Sequence, residues 1–338
     1  MKATIKDVAR LAGVSIATVS RVINDVPGIK PANRERVLAA IRELSFQPNQ
    51  MAQNLKSDVT MTIGIIVSDS SDRFFITVIK SIMKTADSLG YAVLIMDTEG
   101  DAEIERRCIR AVVDRRVDGL VISPTGFNDD YLQAIKKDGT AVVLFDRRSK
   151  LKGFDMVYVD KMNAAYQLTS ELITNGHRRI ALAVGPKNLI TNFDRFTGYI
   201  QAFYDANLPV DNDLILYGTF VEEFGREALN KVLQMPQPPT AIISGSTVIT
   251  KGILVEAQNL HIRIPADLSL VSYGNIEMSS LIQPALTYVD SHNLDVGQLA
   301  AKLLFERIQH PDREPKVIEL ESELHRGSSI ARIGQAGG

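Results

Sequence analysis

TIKDVARLAGVSIATVSRVIN, residues 4–24, reads as two short helices joined by a tight glycine turn. Thr4 followed three residues later by Asp7 has the pattern of a capping box, in which each side chain satisfies a free backbone amide. Val8, Ala9, Leu11 and Ala12 then give a small apolar face at helical spacing. Gly13 supplies the backbone freedom of a sharp turn, and Ser15 is placed to cap the second helix. In that helix Val19, Val22 and Ile23 face inward, leaving Ile16, Ala17, Ser20 and Arg21 outward. A helix-turn-helix sets the beginning of its second helix into a DNA major groove. There Arg21 has the reach for a paired contact to guanine, and Ile16 and Ala17 suit thymine methyls. The competing reading is an ordinary helical hairpin with a solvated arginine.

Working outward, Pro31 sets the start of a third helix, and Val37, Leu38, Ile41 and Leu44 give it an inward stripe. Phe46 and Pro48 end it. NQMAQNLKS (residues 49–57) follows, a polar stretch too short to hold a helix alone. Two copies paired over a minor groove would order one another, with Leu55 wedged into a base step and Lys56 on phosphate. A plain linker is the alternative. Residues 1–60 hold nine Lys/Arg against five Asp/Glu, so a modestly basic head precedes an acidic remainder, although the whole chain is nearly neutral at −2. That split suits a protein whose nucleic-acid affinity resides in its head.

From residue 62 short apolar runs alternate with amphipathic helices. TIGIIVSD (62–69), YAVLIMD (91–97), VDGLVISP (117–124) and AVVLFD (141–146) read as buried strands, with helices near 73–89, 101–115 and 128–137 between them. After MVYVD (156–160) the rhythm repeats: helix 163–175, strand 179–185, helix 193–207, a strand near 214–217 and helix 222–234. Strand 240–245, helix 247–260 and strand 268–274 complete the second run. This alternation predicts two α/β lobes, each a doubly wound parallel sheet. Chain crossings are expected near 160 and 285–292, with a long helix at 293–309 and a last strand near 316–320.

Ligands of such lobes sit at the carboxyl ends of strands, and two facing lobes make a cleft. That rule places Ser68–Asp72, Ser123, Asp146–Arg147, Lys187–Arg195 with Thr191 among them, Phe220, Gly245–Thr247 and Gly274–Asn275 around one site. Phe74 and Phe220 are the candidate aromatic faces for a sugar. No GxxxxGK[ST], GxSxG or HExxH pattern occurs, so no catalytic constellation is legible and the expectation is a non-enzyme. One cysteine, Cys108, excludes an intrachain disulfide and reads as a packing residue in a helix. The scattered histidines imply no zinc site and no cofactor is expected, while the absence of a signal peptide or long apolar run leads to a cytoplasmic expectation with no membrane partner.

DVARLAGVS, TVSRVIN and PN-x-MAQNLKS together resemble the LacI/GalR family of transcription regulators, and the likeness runs over almost the whole chain. The resemblance implies an all-α helix-turn-helix head (1–47), a hinge segment (48–61) and a two-lobed α/β body of periplasmic-binding-protein type (62–338). It places Ile16, Ala17 and Arg21 at base-reading positions, Thr4, Ser15, Thr18 and Asn24 at backbone-contacting ones, and Leu55 at the minor-groove lever. FDRFTGY (193–199) matches the family's R-x-x-GY stretch, which makes Arg195 an effector contact. Together with the candidates from strand ends and aromatic faces, Phe74, Ser123, Arg147, Thr191, Phe220, Thr247 and Asn275, it completes the expected effector set. Thr247 and Gly274 stand where the family frequently carries sugar-holding aspartates, while Arg147 and Arg195 remain, with Lys187 or Lys251 as further cations. Arginine grips carboxylate or phosphate in pairs, so a sugar phosphate or sugar acid is the expected effector.

The expected function is therefore an effector-controlled regulator, a repressor by family habit, bound as a homodimer to double-stranded operator DNA. The end of the chain, ARIGQAGG, lacks apolar heptads, which favours dimer over tetramer. The alternatives are control by a protein corepressor docked on helix 294–308, a free sugar-binding protein, or a sugar-processing enzyme.

Overall fold

The computed structural model describes residues 3–23, 26–46, 59–276, 283–290 and 292–334. The chain forms two compact units, Met1–Thr60 and Met61–Gly338.

The first unit holds three helices: α1 (Ile5–Ala12), α2 (Ile16–Ile23) and α3 (Pro31–Glu43). The Thr4–Asp7 capping box opens α1, and Gly13 closes it in the left-handed conformation. Arg36 reaches from α3 to donate to the Ala12 and Gly13 carbonyls, capping the end of α1 from a different helix. Val8, Ala9, Ala12, Val19, Val22, Val37 and Ala40 form the shared core. Leu11 and Leu38 were expected inside and are exposed. In α3 the inward row is 37, 40, 41 and 44, which takes small Ala40 and leaves Leu38 off the stripe.

The second unit has two lobes. The first carries β1 (Thr62–Val67), α4 (Arg73–Ser88), β2 (Ala92–Asp97), α5 (Ala102–Asp114), β3 (Gly119–Ile122), α6 (Asp129–Lys137), β4 (Ala141–Asp146) and β5 (Asp155–Val159). The second carries α7 (Lys161–Thr174), β6 (Ile180–Val184), α8 (Ile190–Asp205), β7 (Ile215–Tyr217), α9 (Glu222–Leu233), β8 (Ala241–Ser244), α10 (Thr247–Asn259), β9 (Ser269–Tyr273) and β10 (Thr287–Val289). The chain then returns through α11 (Asn293–Gln309) and β11 (Val317–Leu320) to the first lobe and ends with β12 (Leu324–His325) in the second. It crosses between lobes three times: after β5, after β10 and between β11 and β12.

Both sheets share one plan. The first has the order β11-β5-β4-β3-β1-β2 and the second β12-β10-β9-β8-β6-β7. Every pairing is parallel except β10 with β12. Apolar clusters cover both faces of each sheet, which is why the central strands read as unbroken hydrophobic runs. The β2 strand departs from the expectation of burial: it lies at a sheet edge with Ala92 and Ile95 exposed. The short β10 and β12 were not anticipated. Cys108 packs as expected, half-buried beside the cluster that holds Ile109 and Val112, and burial raises its thiol pKa.

Candidate functional site

In the first unit, α2 turns Val19 and Val22 into the core and leaves Ile16, Ala17 and Arg21 exposed along one face. The Ser15 hydroxyl accepts from the Thr18 amide at 3.1 Å and shares a 2.9 Å hydrogen bond with the Thr18 hydroxyl. Thr4 is likewise engaged in its capping box, its hydroxyl donating to Asp7 at 2.6 Å. These hydroxyls therefore fix the two helix starts while remaining at the surface, where the free amides of a helix N-terminus suit a phosphate. Arg21 rests against the Pro27 carbonyl at 3.4 Å. Asn24, Leu55 and Lys56, along with most of the expected hinge, lie outside the described residues.

In the second unit, strand order reverses between β1 and β3 and again between β6 and β8, the points where doubly wound folds bind ligands beyond the strand ends. Loops after β1, β4, β6, β8 and β9 surround a cavity of about 940 Å³ between the lobes. Phe74, Arg147, Thr191, Arg195, Phe220, Thr247 and Asn275 all line it. Ser123 does not. It is buried behind the wall, where its hydroxyl donates to Asp146 at 3.2 Å. Phe220 lies across the end of β6, an arrangement that requires Gly185, since a Cβ there would come within 2.3 Å of the ring.

A tight turn at the end of β4 aims the first charged groups. Asp146 has a φ of +68° and the Arg147 amide folds back to the Phe145 carbonyl at 2.8 Å. A non-glycine residue in this region at a ligand cleft is stored strain that the surroundings must hold. They do: the Lys161 ammonium meets Asp146 Oδ1 at 2.9 Å and its main-chain carbonyl at 2.5 Å. Burial acts to raise the Asp146 pKa, but Lys161 and Arg147 outweigh it and hold the carboxyl below the usual range. Burial and Arg195 meanwhile lower the pKa of Lys161.

Arg147 is 4% exposed and its Nη1 donates to the Pro124 carbonyl at 2.9 Å. The Pro124 loop is held by the buried Glu105 carboxylate, which accepts from the Thr125 amide and hydroxyl at 2.6 and 2.7 Å and from Asn128 at 2.9 Å. Arg147 Nε stands 3.7 Å from Asp146 and makes no hydrogen bond. From the opposite lobe, Arg195 lies 4.3 Å over the Tyr273 ring and donates through Nη1 to Asn192 at 3.1 Å. Its Nε is also buried without an acceptor. Burial lowers the pKa of Arg147, and the like charge of Arg195 acts in the same direction. Asp72, which caps α4 through the Phe74 amide at 2.7 Å, also lines the cavity, and burial raises its pKa.

Two of the expected cations are elsewhere. Lys187 sits 5.6 Å over the Tyr217 ring and Lys251 pairs with Glu222, and neither lines the cavity. Arg73 and Lys161 are the further cations on the wall; Lys161 follows β5 at the first lobe crossing, a strand end that the expected set left out. Asp72, Ser246, Tyr273, Asp290 and His292 also join the wall. The helix 294–308 offered as a corepressor surface has its apolar face covered: Val296, Ala300, Ala301, Leu303, Leu304 and Phe305 are buried in the first lobe's core. Among the described residues no helix is long and apolar enough to cross a membrane, and no group of three or more His, Cys, Asp or Glu is placed to hold a metal.

Comparison with known proteins agrees with both units. Residues 4–49 match the model of bacterial regulatory proteins of the lacI family, and residues 60–326 match that of periplasmic binding proteins and the sugar binding domain of the LacI family. The chain is 33% identical over 331 residues to the HTH-type transcriptional repressor PurR of Aliivibrio fischeri (strain MJ11), covering 97% of this chain and 98% of that one. A transcriptional regulator CelR–cellobiose complex superposes with a TM-score of 0.72 at 27% identity, over 97% of this chain and 99% of that one. The lac repressor dimer bound to operator and an anti-inducer shares the fold with a TM-score of 0.83 at 24% identity, over 98% and 100%. Helix-turn-helix head and two-lobed cleft body thus each match the same group of regulators, and the protein belongs to the LacI family of bacterial regulatory proteins.

Proposed function

We propose that this regulator answers to an acidic carbohydrate, a sugar phosphate or sugar acid, bound between the lobes of its body. The head supplies sequence-specific contacts to operator DNA through Ile16, Ala17 and Arg21, with Thr4, Ser15 and Thr18 on the backbone. The body is the effector-controlled part, and ligand shifts the DNA-binding equilibrium by preferring one lobe arrangement.

The observation that carries the acidic reading is the pair of buried guanidiniums, Arg147 and Arg195, each with an Nε donor lacking an acceptor. A buried unsatisfied donor costs about 1–3 kcal/mol. A carboxylate or phosphate accepting from both removes that cost, which a hydroxyl does less well. Phe74 and Phe220 supply apolar faces for a sugar ring. Asp146 does not cancel this positive character, because Lys161 already neutralises it.

Calorimetry on the full chain with glucose, gluconate and glucose 6-phosphate tests the effector class. Binding confined to the charged forms is expected, and tighter binding of glucose ends the acidic reading. Selection of bound sequences from random duplexes tests the head; recovery of no preferred sequence, with or without these compounds, would remove Ile16, Ala17 and Arg21 as readers.

A further inference from the structure

The residues that follow Arg147 and precede Arg195 meet each other across the cleft. Arg148, just beyond β4 of the first lobe, places its Nε 2.9 Å from both carboxylate oxygens of Asp194 on α8 of the second, and its Nη2 also donates to Oδ1. Asp194 is buried, whereas the Arg148 side chain is about half exposed at the cleft's edge. This fork-on-carboxylate geometry is directional as well as charged. Each partner is covalently joined to one of the two cleft-facing arginines, so closing this contact brings Arg147 and Arg195 to one locus.

We propose that Arg148 and Asp194 form an interlobe clasp that positions the arginine pair for its ligand, making them positioning residues for effector recognition. The clasp holds the two lobes together and thereby sets how much of the population presents Arg147 opposite Arg195. Apparent affinity falls in proportion to the fraction of molecules lacking that arrangement. Asp160 and Tyr158 face Arg148 from the first crossing and the adjacent strand, and Asp194 is the partner in direct hydrogen-bond contact.

The proposal rests on reading the cleft as the effector site, and its test separates the two. Spin labels are placed on exposed Ala92 of β2 and exposed Gln201 of α8 in a full chain carrying Cys108→Ser, and the interlobe distance is measured without ligand. Arg148→Gln and Asp194→Asn are each expected to lengthen or broaden that distance, and the exchanged pair Arg148→Asp with Asp194→Arg to restore it. The same proteins are titrated with glucose 6-phosphate and, as the bare anion, inorganic phosphate. Each single variant should bind at least about fivefold more weakly, the low end of ordinary coupling between sites, and the exchanged pair should recover. Unchanged distances in both single variants overturn the clasp. Changed distances rescued by the exchange, with no anion binding in any protein including the parent, support the clasp and defeat the acidic-effector reading instead. A loss of anion affinity that the exchange does not rescue, at unchanged distance, also overturns it.

Discussion

Arg195→Met separates a ligand contact from a structural strut, because the two roles predict opposite balances. In the ligand-free protein the guanidinium gains from its place 4.3 Å over the Tyr273 ring, a contact worth about 0.5–2 kcal/mol. It also gains about 1 kcal/mol from the Asn192 hydrogen bond. Against this stands the buried Nε without an acceptor, costing about 1–3 kcal/mol. Methionine keeps an unbranched stem over the ring and removes both the gains and the cost. Unfolding stability should therefore change by less than about 2 kcal/mol. Binding should respond far more, since an anion accepting from Nε loses a charge-assisted bond of about 1.5–3 kcal/mol, or about 10- to 150-fold in affinity. Urea unfolding measures the first quantity, and calorimetry with whichever of gluconate and glucose 6-phosphate binds the parent measures the second. A stability loss beyond about 4 kcal/mol with affinity unchanged would refute the reasoning and make Arg195 a brace for the second lobe.

Three further outcomes are expected. Asp155 is 1% exposed and accepts from Arg307, Arg313 and the Lys316 amide at 2.9, 2.7 and 2.8 Å. Asp155→Asn removes the buried carboxylate charge that Arg307 and Arg313 share, and should lower body stability by about 3–5 kcal/mol in urea unfolding; a loss below about 1 kcal/mol contradicts this. His177 is buried, with one ring nitrogen 2.8 Å from the Thr240 hydroxyl and the other 3.0 Å from the Ala331 carbonyl, and burial holds its pKa below the ordinary 6.5. The folded value lies under the unfolded one, so stability should be full above pH 6.5 and decline as pH falls below it, by at most about 1.4 kcal/mol per unit. Urea midpoints between pH 5 and 7.5 should show that slope in the parent and less of it in His177→Gln. Arg21→Ala should relax base preference at one operator position by about 1–3 kcal/mol, read by competition between duplexes differing at each base pair; uniform weakening at every position would make Arg21 a phosphate contact.

The fold was legible where burial acts on both faces of an element. Strands such as Thr62–Val67 and Ala141–Asp146 have helices above and below, so their composition announces them. At sheet margins this signal fails: Ala92–Asp97 is apolar yet lies at an edge, and the three residues of Thr287–Val289 carry too little pattern to stand out. The cleft was legible from strand ends, a property of chain order, and Arg147, Arg195, Phe74 and Phe220 were found that way. Lys161 was not, because its role depends on where the chain passes from one lobe to the other. Ser123 shows the converse limit, since a residue at the right strand end can point behind the wall and hold Asp146 instead.

The three passages of chain between the lobes bear on how the body can be taken apart. A single protease nick at one passage leaves the halves tied by the other two, so cleavage alone should not release either half as a separate fragment. Swivelling about one strand is likewise barred when its neighbours must travel with it. What stays available is a jackknife-like bend along the line through all three passages.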